Sequence, residues 1–275
     1  MNYKIFQICF EENQLSQVDP LLTPFDNTKN ERPELREYHS FLKIRENGIT
    51  DDLDAWGIFG PRWKEKMRYP AEEIVQAIDT NPNYDVYLFN HARVQDALTF
   101  NVWDQGEYFH KGIRTVAEHV LKELGYETDI LNDMMFEGST CYCSYFVARK
   151  EFWNDYLDFL AKIKDKLENL PEDIDRIYKS SANYARDSSL NLFPFLVERL
   201  FSTFLVINRD KYSVYAKPYD YSLYANQMGD FVQVISALKN LKTLTLKHDS
   251  HEIFHQWNAI RLFLLKTQPN LMHLD

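Results

Sequence analysis

The sequence predicts an α/β fold in which a mainly parallel sheet is flanked by helices and is followed by a helical C-terminal region. Two observations support this class. Short apolar segments rich in β-branched and aromatic residues recur along the chain, and amphipathic segments at helical spacing separate them. Strands that alternate with helices in this way form mainly parallel sheets with helices on both faces.

Four segments are predicted as strands. They are residues 3–10, 55–59, 85–90 and 140–148. In parallel sheets, ligands bind beyond the carboxyl ends of the strands. We therefore expect the functional site in the loops that follow Phe10, Phe59, Phe89 and Ala148.

Seven segments are predicted as helices. They are residues 34–45, 70–78, 113–124, 151–168, 193–206, 230–241 and 251–267. Residues 171–191 are polar and predict a loop or a frayed helix. No repeat or linker divides the chain. We expect a core over residues 1–206 and a helical extension over 207–275 that packs on it as one structural unit.

Composition narrows the functional class. The formal net charge of −10 disfavours general binding to nucleic acid or to an anionic membrane. The three cysteines (Cys9, Cys141 and Cys143) are an odd number, which is typical of a reducing compartment rather than of a disulfide framework. The start of the chain lacks signal-peptide features, and no apolar run approaches about 20 residues. We expect a cytoplasmic protein without a nucleic-acid partner.

The loop after the first predicted strand offers candidate donor-binding residues. Phe10 ends the strand, and Thr23, Asp26 and Asn27 follow in a polar segment. Their side chains could hydrogen-bond a base or a ribose. Asp and Asn also stabilise turns through their own backbone, so a purely structural role is the alternative.

Asn90 and His91 follow the third predicted strand, and a D-x-D motif at such a strand end can hold a divalent cation against a diphosphate. No such motif stands there. Asp52 and Asp54 are spaced correctly, but they precede a strand and are typical of a solvated turn. Asn90 and His91 are candidate contacts to sugar or phosphate, and a role for Mn²⁺ or Mg²⁺ is left open.

The segment from Asn101 to Gly112 is the densest cluster of polar and aromatic residues. We expect a glycine-containing loop, and its candidate sugar-binding residues are Trp103, Asp104, Gln105, Glu107, Tyr108 and His110. Carbohydrate sites combine aromatic platforms with carboxylate and amide hydrogen bonding. The alternative is a surface loop with a packed tryptophan.

Glu198 and Arg199 form a charged pair within an apolar predicted helix. Burying such a pair is costly unless it is matched by partners or used in function. A partly desolvated Glu198 in a cleft would have a raised pKa and could act as a general base. A structural ion pair is the alternative.

His251, Glu252 and His255 match H-E-x-x-H, which on a helix places two imidazoles on one face for zinc. A catalytic zinc needs a third protein ligand, for which only His273 and Asp275 remain downstream. Chance occurrence on a polar helix face is the favoured interpretation, and a zinc hydrolase is the alternative.

Three blocks together resemble a family of bacterial capsule and O-antigen glycosyltransferase domains that was long catalogued as a domain of unknown function and includes galactofuranosyltransferases. The blocks are PELREYHSFLKI with Glu37 followed by AWGIFGPRW, then CYCSYFVARKEFWNDYLDFL, and finally FPFLVERLFSTFL. The resemblance covers residues 3–206. Two positions depart from it: Gly60-Pro61-Arg62-Trp63 replaces an H-Y-R-R motif, and Phe89-Asn90-His91 stands at the D-x-D position.

The resemblance implies a GT-A-like fold with a single nucleotide-binding sheet. It implies transfer of a sugar, such as a hexose or galactofuranose, from a nucleotide-sugar donor (a UDP-sugar) to a hydroxyl of a glycan or lipid-linked acceptor. Glu198 or Asp104 would be the base, and Arg62, Lys64 and His91 would contact the diphosphate, while Arg199 would lie on the sugar side. It also implies peripheral contact with membrane-bound assembly machinery. A catalytically inactive carbohydrate-binding or scaffold protein of the same fold is the alternative.

Overall fold

The computed structural model describes residues 1–180 and 191–274. Within this part, the strands are β1 (Tyr3–Cys9), β2 (Thr23–Asp26), β3 (Ala55–Phe59), β4 (Val86–Leu88), β5 (Phe146–Arg149) and β6 (Val214–Ala216). They form one sheet in the order β2-β1-β3-β5-β4-β6. β5 pairs antiparallel with β3 and β4, and the other neighbouring strands are parallel. The mainly parallel sheet predicted from the sequence is confirmed.

Helices surround this sheet and form the C-terminal region. They are α1 (Glu12–Leu15), α2 (Glu37–Glu46), α3 (Trp63–Met67), α4 (Ala71–Thr80), α5 (Arg93–Leu98), α6 (Val102–Phe109), α7 (Ile113–Glu123), α8 (Lys150–Leu167), α9 (Glu172–Lys179), α10 (Phe193–Ile207), α11 (Ala225–Met228), α12 (Phe231–His248) and α13 (His251–Thr267). Short 3-10 helices span Pro33–Leu35, Asp129–Leu131, Tyr221–Tyr224 and Pro269–His273. No helix in residues 1–180 or 191–274 combines the length and hydropathy needed to cross a bilayer.

The two faces of the sheet bury different side chains because successive strand residues point in opposite directions. In β3, Trp56 and Ile58 belong to the larger core cluster, which also holds apolar side chains of α2, α8 and α10. The alternate residues Ala55 and Phe59 pack with α3 and α4 on the other face. Trp56 stacks on Trp153 of α8 with ring centroids 3.7 Å apart. Trp153 Nε1 also donates to the Trp56 carbonyl at 2.7 Å.

A third apolar cluster joins the C-terminal helices to α5. Trp257 of α13 is fully buried there, and its Nε1 donates to the Ala97 carbonyl at 3.1 Å. Lys239 and Lys242 of α12 reach the buried carboxylate of Asp96 on α5. Apolar packing and a buried ion cluster therefore hold the C-terminal helices against the core.

Two strands were missed by the sequence analysis, and one was given a wrong start. β2 and β6 have only four and three residues, and β2 contains Pro24, which an edge strand tolerates. β5 begins at Phe146, not at residue 140, because residues 140–145 are not in regular secondary structure. Cys141 and Cys143 therefore precede the strand, and both are free thiols.

The expectation of a loop between Asn101 and Gly112 was wrong, because the segment contains α6. Asn101 caps this helix by accepting the backbone N–H groups of Trp103 and Asp104, both at 2.8 Å. Gly106 lies within the helix. A Cβ there would come within 2.4 Å of Arg199 Nε, so the glycine makes room for that guanidinium. Of the segment 171–191, residues 172–179 form α9, and residues 181–190 lie outside the described part.

Candidate active site

A cavity of about 330 Å³ opens at the edge of the sheet where the parallel strands end. His91, three residues beyond β4, lines it together with Tyr142 and Cys143, which precede β5. Because β5 is antiparallel to β4, its beginning lies at the same edge as the end of β4. The cavity thus occupies the position at which α/β sheets bind their ligands.

Two carboxylates line this cavity. Glu198 lies on α10, and its side chain is 27% exposed, with Oε1 3.9 Å from the Cys143 sulfur. Glu37 lies in the first turn of α2. A Cβ built on Gly60, the residue after β3, would lie 3.7 Å from Glu37 Oε1, which places this carboxylate at the end of β3. Glu198 was predicted from the sequence as a candidate base, whereas Glu37 was named only within the first block of the family resemblance.

Two cationic side chains also line the cavity, and both were missed from the sequence. They are Arg36, next to Glu37, and Lys66 of α3, whose Nζ lies 3.5 Å from the Cys143 sulfur. Arg62 is exposed at the beginning of α3, and its charge lowers the pKa of His91. These cations can offset the negative charge of a phosphate-bearing ligand in an otherwise acidic protein.

A chain of buried hydrogen bonds runs along the cavity wall and begins at Arg199. Its guanidinium donates to the carbonyls of Val102 at 3.1 Å and Phe195 at 2.8 Å, and to Gln105 Oε1. Arg199 Nη1 also lies 3.8 Å from Glu198 Oε2. Both residues line the cavity, but the carboxylate of Glu198 is partly exposed, whereas the guanidinium of Arg199 is buried and fixed by its hydrogen bonds.

The same chain continues to the C-terminal segment. Gln105 Nε2 donates to Gln95 Oε1 at 2.7 Å, and Gln95 Nε2 donates to the Met272 carbonyl at 3.0 Å. Met272 and His273 belong to the last 3-10 helix and line the cavity. The residues beside Glu198 are therefore connected by hydrogen bonds to the end of the described chain.

Two buried histidines line the cavity and are held neutral. Burial lowers the pKa of His91 well below its usual value, and the charges of Lys66, Arg93 and Arg62 lower it further. Burial, followed by the charge of Arg199, lowers the pKa of His110 to about 3. The Nδ1 atoms of both rings are buried and lack a hydrogen-bond partner among the described residues. A neutral imidazole can donate a hydrogen bond to a ligand hydroxyl through one ring nitrogen and accept one through the other.

Several residues of α6 expected to bind sugar do not line the cavity. Trp103 is fully buried and donates from Nε1 to Thr203 Oγ1 at 2.9 Å, so it is a core residue. Asp104 accepts the Phe100 N–H at 3.0 Å and pairs with Arg261 at 3.3 Å, which ties it to α13. Its proposed role as a base is not supported by this position.

Glu107 and Tyr108 also lie outside the cavity. Glu107 accepts the backbone N–H groups of Gly112 at 3.0 Å and Arg114 at 2.8 Å, at the beginning of α7. Tyr108 is 43% exposed and contacts the rings of Phe109 and His273 beside the cavity. Gln105, His110 and Arg199 are the candidates of this group that do line it.

The expected donor-binding residues near β1 and β2 do not line the cavity either. Phe10 N–H donates to Gln14 Oε1 at 2.8 Å, and Thr23 pairs with Phe6 in the sheet. Asp26 Oδ1 accepts hydrogen bonds from the backbone N–H of Thr28 at 2.9 Å and from its hydroxyl at 2.7 Å. Asp26 therefore stabilises a turn, which was the alternative to donor binding.

Asn27, Asn90 and Lys64, which were also expected to bind the donor, each contact another residue of the protein. Asn27 is buried with its Oδ1 lacking a partner among the described residues, and its N–H donates to the Cys9 carbonyl at 2.9 Å, at the end of β1. Asn90 donates to the Tyr219 hydroxyl at 2.6 Å. Lys64 pairs with Asp19 at 2.8 Å and does not line the cavity.

No three His, Cys, Asp or Glu side chains converge on a possible metal site in the described part of the chain. Asp54 Oδ2 accepts the Asn2 N–H at 2.7 Å and so serves the structure before β3. His251, Glu252 and His255 are exposed on α13, and Asp275 lies outside the described residues. The zinc-hydrolase alternative is not supported.

Comparison with known proteins gives a match in structure but none in sequence. No family model and no curated protein sequence matches the chain. Among solved structures, the chain is similar to the WbbM bifunctional glycosyltransferase in its apo form, with a TM-score of 0.50 and 18% identity. The match covers 79% of this chain and 44% of that chain, so it spans less than half of the larger protein. Over the matched region, the chain thus shares its fold with part of that glycosyltransferase.

Proposed function

We propose that the protein is a glycosyltransferase that moves a sugar from a nucleotide-sugar donor to a hydroxyl group of a glycan. One observation carries the proposal: in a chain with this fold, the cavity at the strand ends combines Glu37 and Glu198 with Arg36 and Lys66. Glycosyl transfer requires a group that takes the proton of the acceptor hydroxyl. It also requires donors that stabilise the departing diphosphate.

The cationic residues would bind the diphosphate. Arg36 and Lys66 line the cavity, and Arg62 lies close enough to influence His91. Fixed positive charge in a partly enclosed site stabilises the charge that develops on a leaving diphosphate. The neutral His91 adds a hydrogen-bonding group without adding charge.

Glu198 is the proposed base. In an inverting reaction, the acceptor oxygen would form a bond to the anomeric carbon while the bond from that carbon to the diphosphate oxygen breaks. The acceptor proton would pass to the Glu198 carboxylate, and the nucleoside diphosphate would leave with the bonding electron pair. Glu37 is the second carboxylate in reach of the cavity and is the competing candidate for the same role.

The finer assignments rest on sequence resemblance. They are a hexosyl or galactofuranosyl donor carried by UDP, a glycan or lipid-linked acceptor, and a cytoplasmic role in capsule or O-antigen synthesis. Peripheral contact with membrane-bound assembly machinery belongs to the same proposal. The exposed side chains of Leu262 and Phe263 on α13 offer apolar surface for such a contact.

A donor screen tests the proposal. Thermal unfolding would be measured with UDP, GDP, CDP and dTDP and with their sugars, since a ligand that binds the folded state raises Tm. Mass spectrometry would then detect transfer to a panel of glycan acceptors. We expect stabilisation by one nucleotide class and transfer from its sugar. Absence of both would overturn the proposal and leave the non-catalytic carbohydrate-binding alternative.

A further inference from the structure

The cavity is lined by both charged side chains and aromatic rings. The charged residues include Arg36, Glu37 and Lys66, and Glu37 lies beside Gly60 at the end of β3 while Lys66 lies beside Cys143. The remaining lining includes four rings, from Phe109, His110, Phe195 and His273. A cationic region fits a diphosphate, and an aromatic region fits the apolar C–H faces of a sugar ring.

The four rings form one contiguous surface. His110 stacks on Phe195 with centroids 3.9 Å apart and an interplanar angle of 29°. Phe109 meets His273 edge to face at 5.5 Å. Phe109 and His110 are 6.5 Å apart and join the two pairs. Aromatic rings at these separations pack favourably against one another and hold their positions.

A polar atom is available within this aromatic surface. His110 is 9% exposed, and its Nδ1 is buried without a hydrogen-bond partner among the described residues. Burying an imidazole nitrogen without a partner is costly unless a ligand or water satisfies it. An apolar stacking surface with an unsatisfied buried nitrogen is the combination that a sugar, with its C–H faces and hydroxyl groups, would satisfy.

We propose that these four rings form the binding subsite for the acceptor sugar, and that the C-terminal 3-10 helix (Pro269–His273) is an integral part of it. The helix is held against the site because Gln95 donates to the Met272 carbonyl at 3.0 Å. Gln95 also connects through Gln105 to Arg199, next to Glu198. The acceptor surface and the proposed base are therefore held in one hydrogen-bonded framework. This inference rests on the proposed glycosyltransferase function.

Saturation-transfer NMR on the full chain tests the subsite, with the methyl glycosides of galactose, glucose, mannose and N-acetylglucosamine as probes. We expect saturation of the ring C–H protons of at least one probe. The variant His273→Ala should bind that probe about two- to tenfold more weakly, the range for loss of one aromatic contact. His273 is exposed, so its removal leaves the core intact. His248→Ala, on the exposed end of α12, is the matched control and should bind like the wild type.

Thermal stabilisation by the nucleotides of the donor screen separates this inference from the donor proposal. If His273→Ala loses the probe sugar and keeps its response to the nucleotide that stabilises the wild type, the acceptor subsite is supported. If the wild type binds no probe, or His273→Ala binds it as the wild type does, the subsite is wrong. A protein that binds a probe through His273 and no nucleotide would retain the sugar subsite and lose the transferase proposal.

Discussion

Asp96 of α5 and Lys242 of α12 form a fully buried ion pair with a separation of 3.0 Å. Lys239 reaches the other carboxylate oxygen at 2.6 Å. Lys242 also donates to the backbone carbonyls of Asp96 and Thr99, both at 2.8 Å. Gln95, which precedes Asp96, belongs to the hydrogen-bond chain along the cavity wall. One short helix therefore anchors the C-terminal helices and supports the candidate active site.

Removing the charge of Asp96 should destabilise the protein severely. The substitution Asp96→Asn removes the carboxylate that pairs with two buried ammonium groups, and the expected loss is about 3–5 kcal/mol in the free energy of unfolding. Urea denaturation at pH 7 measures it. Asp210→Asn, at an exposed position, is the control and should change stability by less than about 0.5 kcal/mol. A loss below about 1 kcal/mol for Asp96→Asn would show that the buried ion cluster does not hold the two regions together.

Adding a methyl group at Gly106 should disturb Arg199. A Cβ at this position would lie 2.4 Å from Arg199 Nε and 2.9 Å from its Cδ, so the side chain must shift. We expect Gly106→Ala to lower the free energy of unfolding by about 1–3 kcal/mol, despite the better helix propensity of alanine. Gly60→Ala is the control, because its Cβ would meet only Glu37 Oε1 at 3.7 Å. Equal stability of the two variants would contradict the close packing at Gly106.

The pH dependence of stability should report the buried state of His110. Its pKa is about 3 in the folded protein and about 6.5 in an unfolded chain, so the unfolded state binds more protons between these values. The contribution of this group is therefore complete above pH 6.5 and is lost as the pH falls towards 3. In His110→Phe, which keeps a ring against Phe195, stability relative to the wild type should increase by about 1 kcal/mol from pH 6 to pH 5.

Denaturant titrations at the two pH values measure this difference directly. His119→Phe, on a partly exposed face of α7, is the control for replacing a histidine by phenylalanine away from this cavity. A pH-independent difference between His110→Phe and the wild type would mean that His110 titrates in the folded protein much as it does in water.

Two lysines of α3 provide a matched test of the cationic region. Lys66 lines the cavity, whereas Lys64 pairs with Asp19 outside it. Lys66→Met keeps the apolar stem and removes the charge, so the Kd of the donor nucleotide should rise by about tenfold or more. Lys64→Met should leave the Kd unchanged. Isothermal titration calorimetry measures both, and an equal effect of the two substitutions would place the diphosphate elsewhere.

The sequence predicted the fold class because strands β1, β3 and β4 carry dense β-branched and aromatic residues at the expected spacing. It did not predict α6, because Gly106 and several polar residues in this segment are typical of a loop. The stability of the helix comes from packing and from the Asn101 cap. It missed β2 and β6 because so few residues carry no clear periodicity.

The candidate site was predictable only in part. Glu198 was identifiable because a charge in an apolar helix is unusual, and His91 because it follows a buried strand. Glu37, Lys66 and His273 are polar residues on amphipathic or short elements, where a solvated position is the ordinary outcome. Only the tertiary fold brings these three to one cavity. Trp103 is the opposite case. It was a candidate sugar-binding residue because it lies in a polar segment, but its side chain is buried in the core.

The most direct test is the rate of sugar transfer by Glu198→Gln at a saturating concentration of the donor found in the screen. If Glu198 takes the acceptor proton, the rate should fall by about 10²- to 10⁴-fold while stabilisation by the nucleotide stays at the wild-type level. Transfer by Glu198→Gln at the wild-type rate would contradict the assignment of this carboxylate as the base.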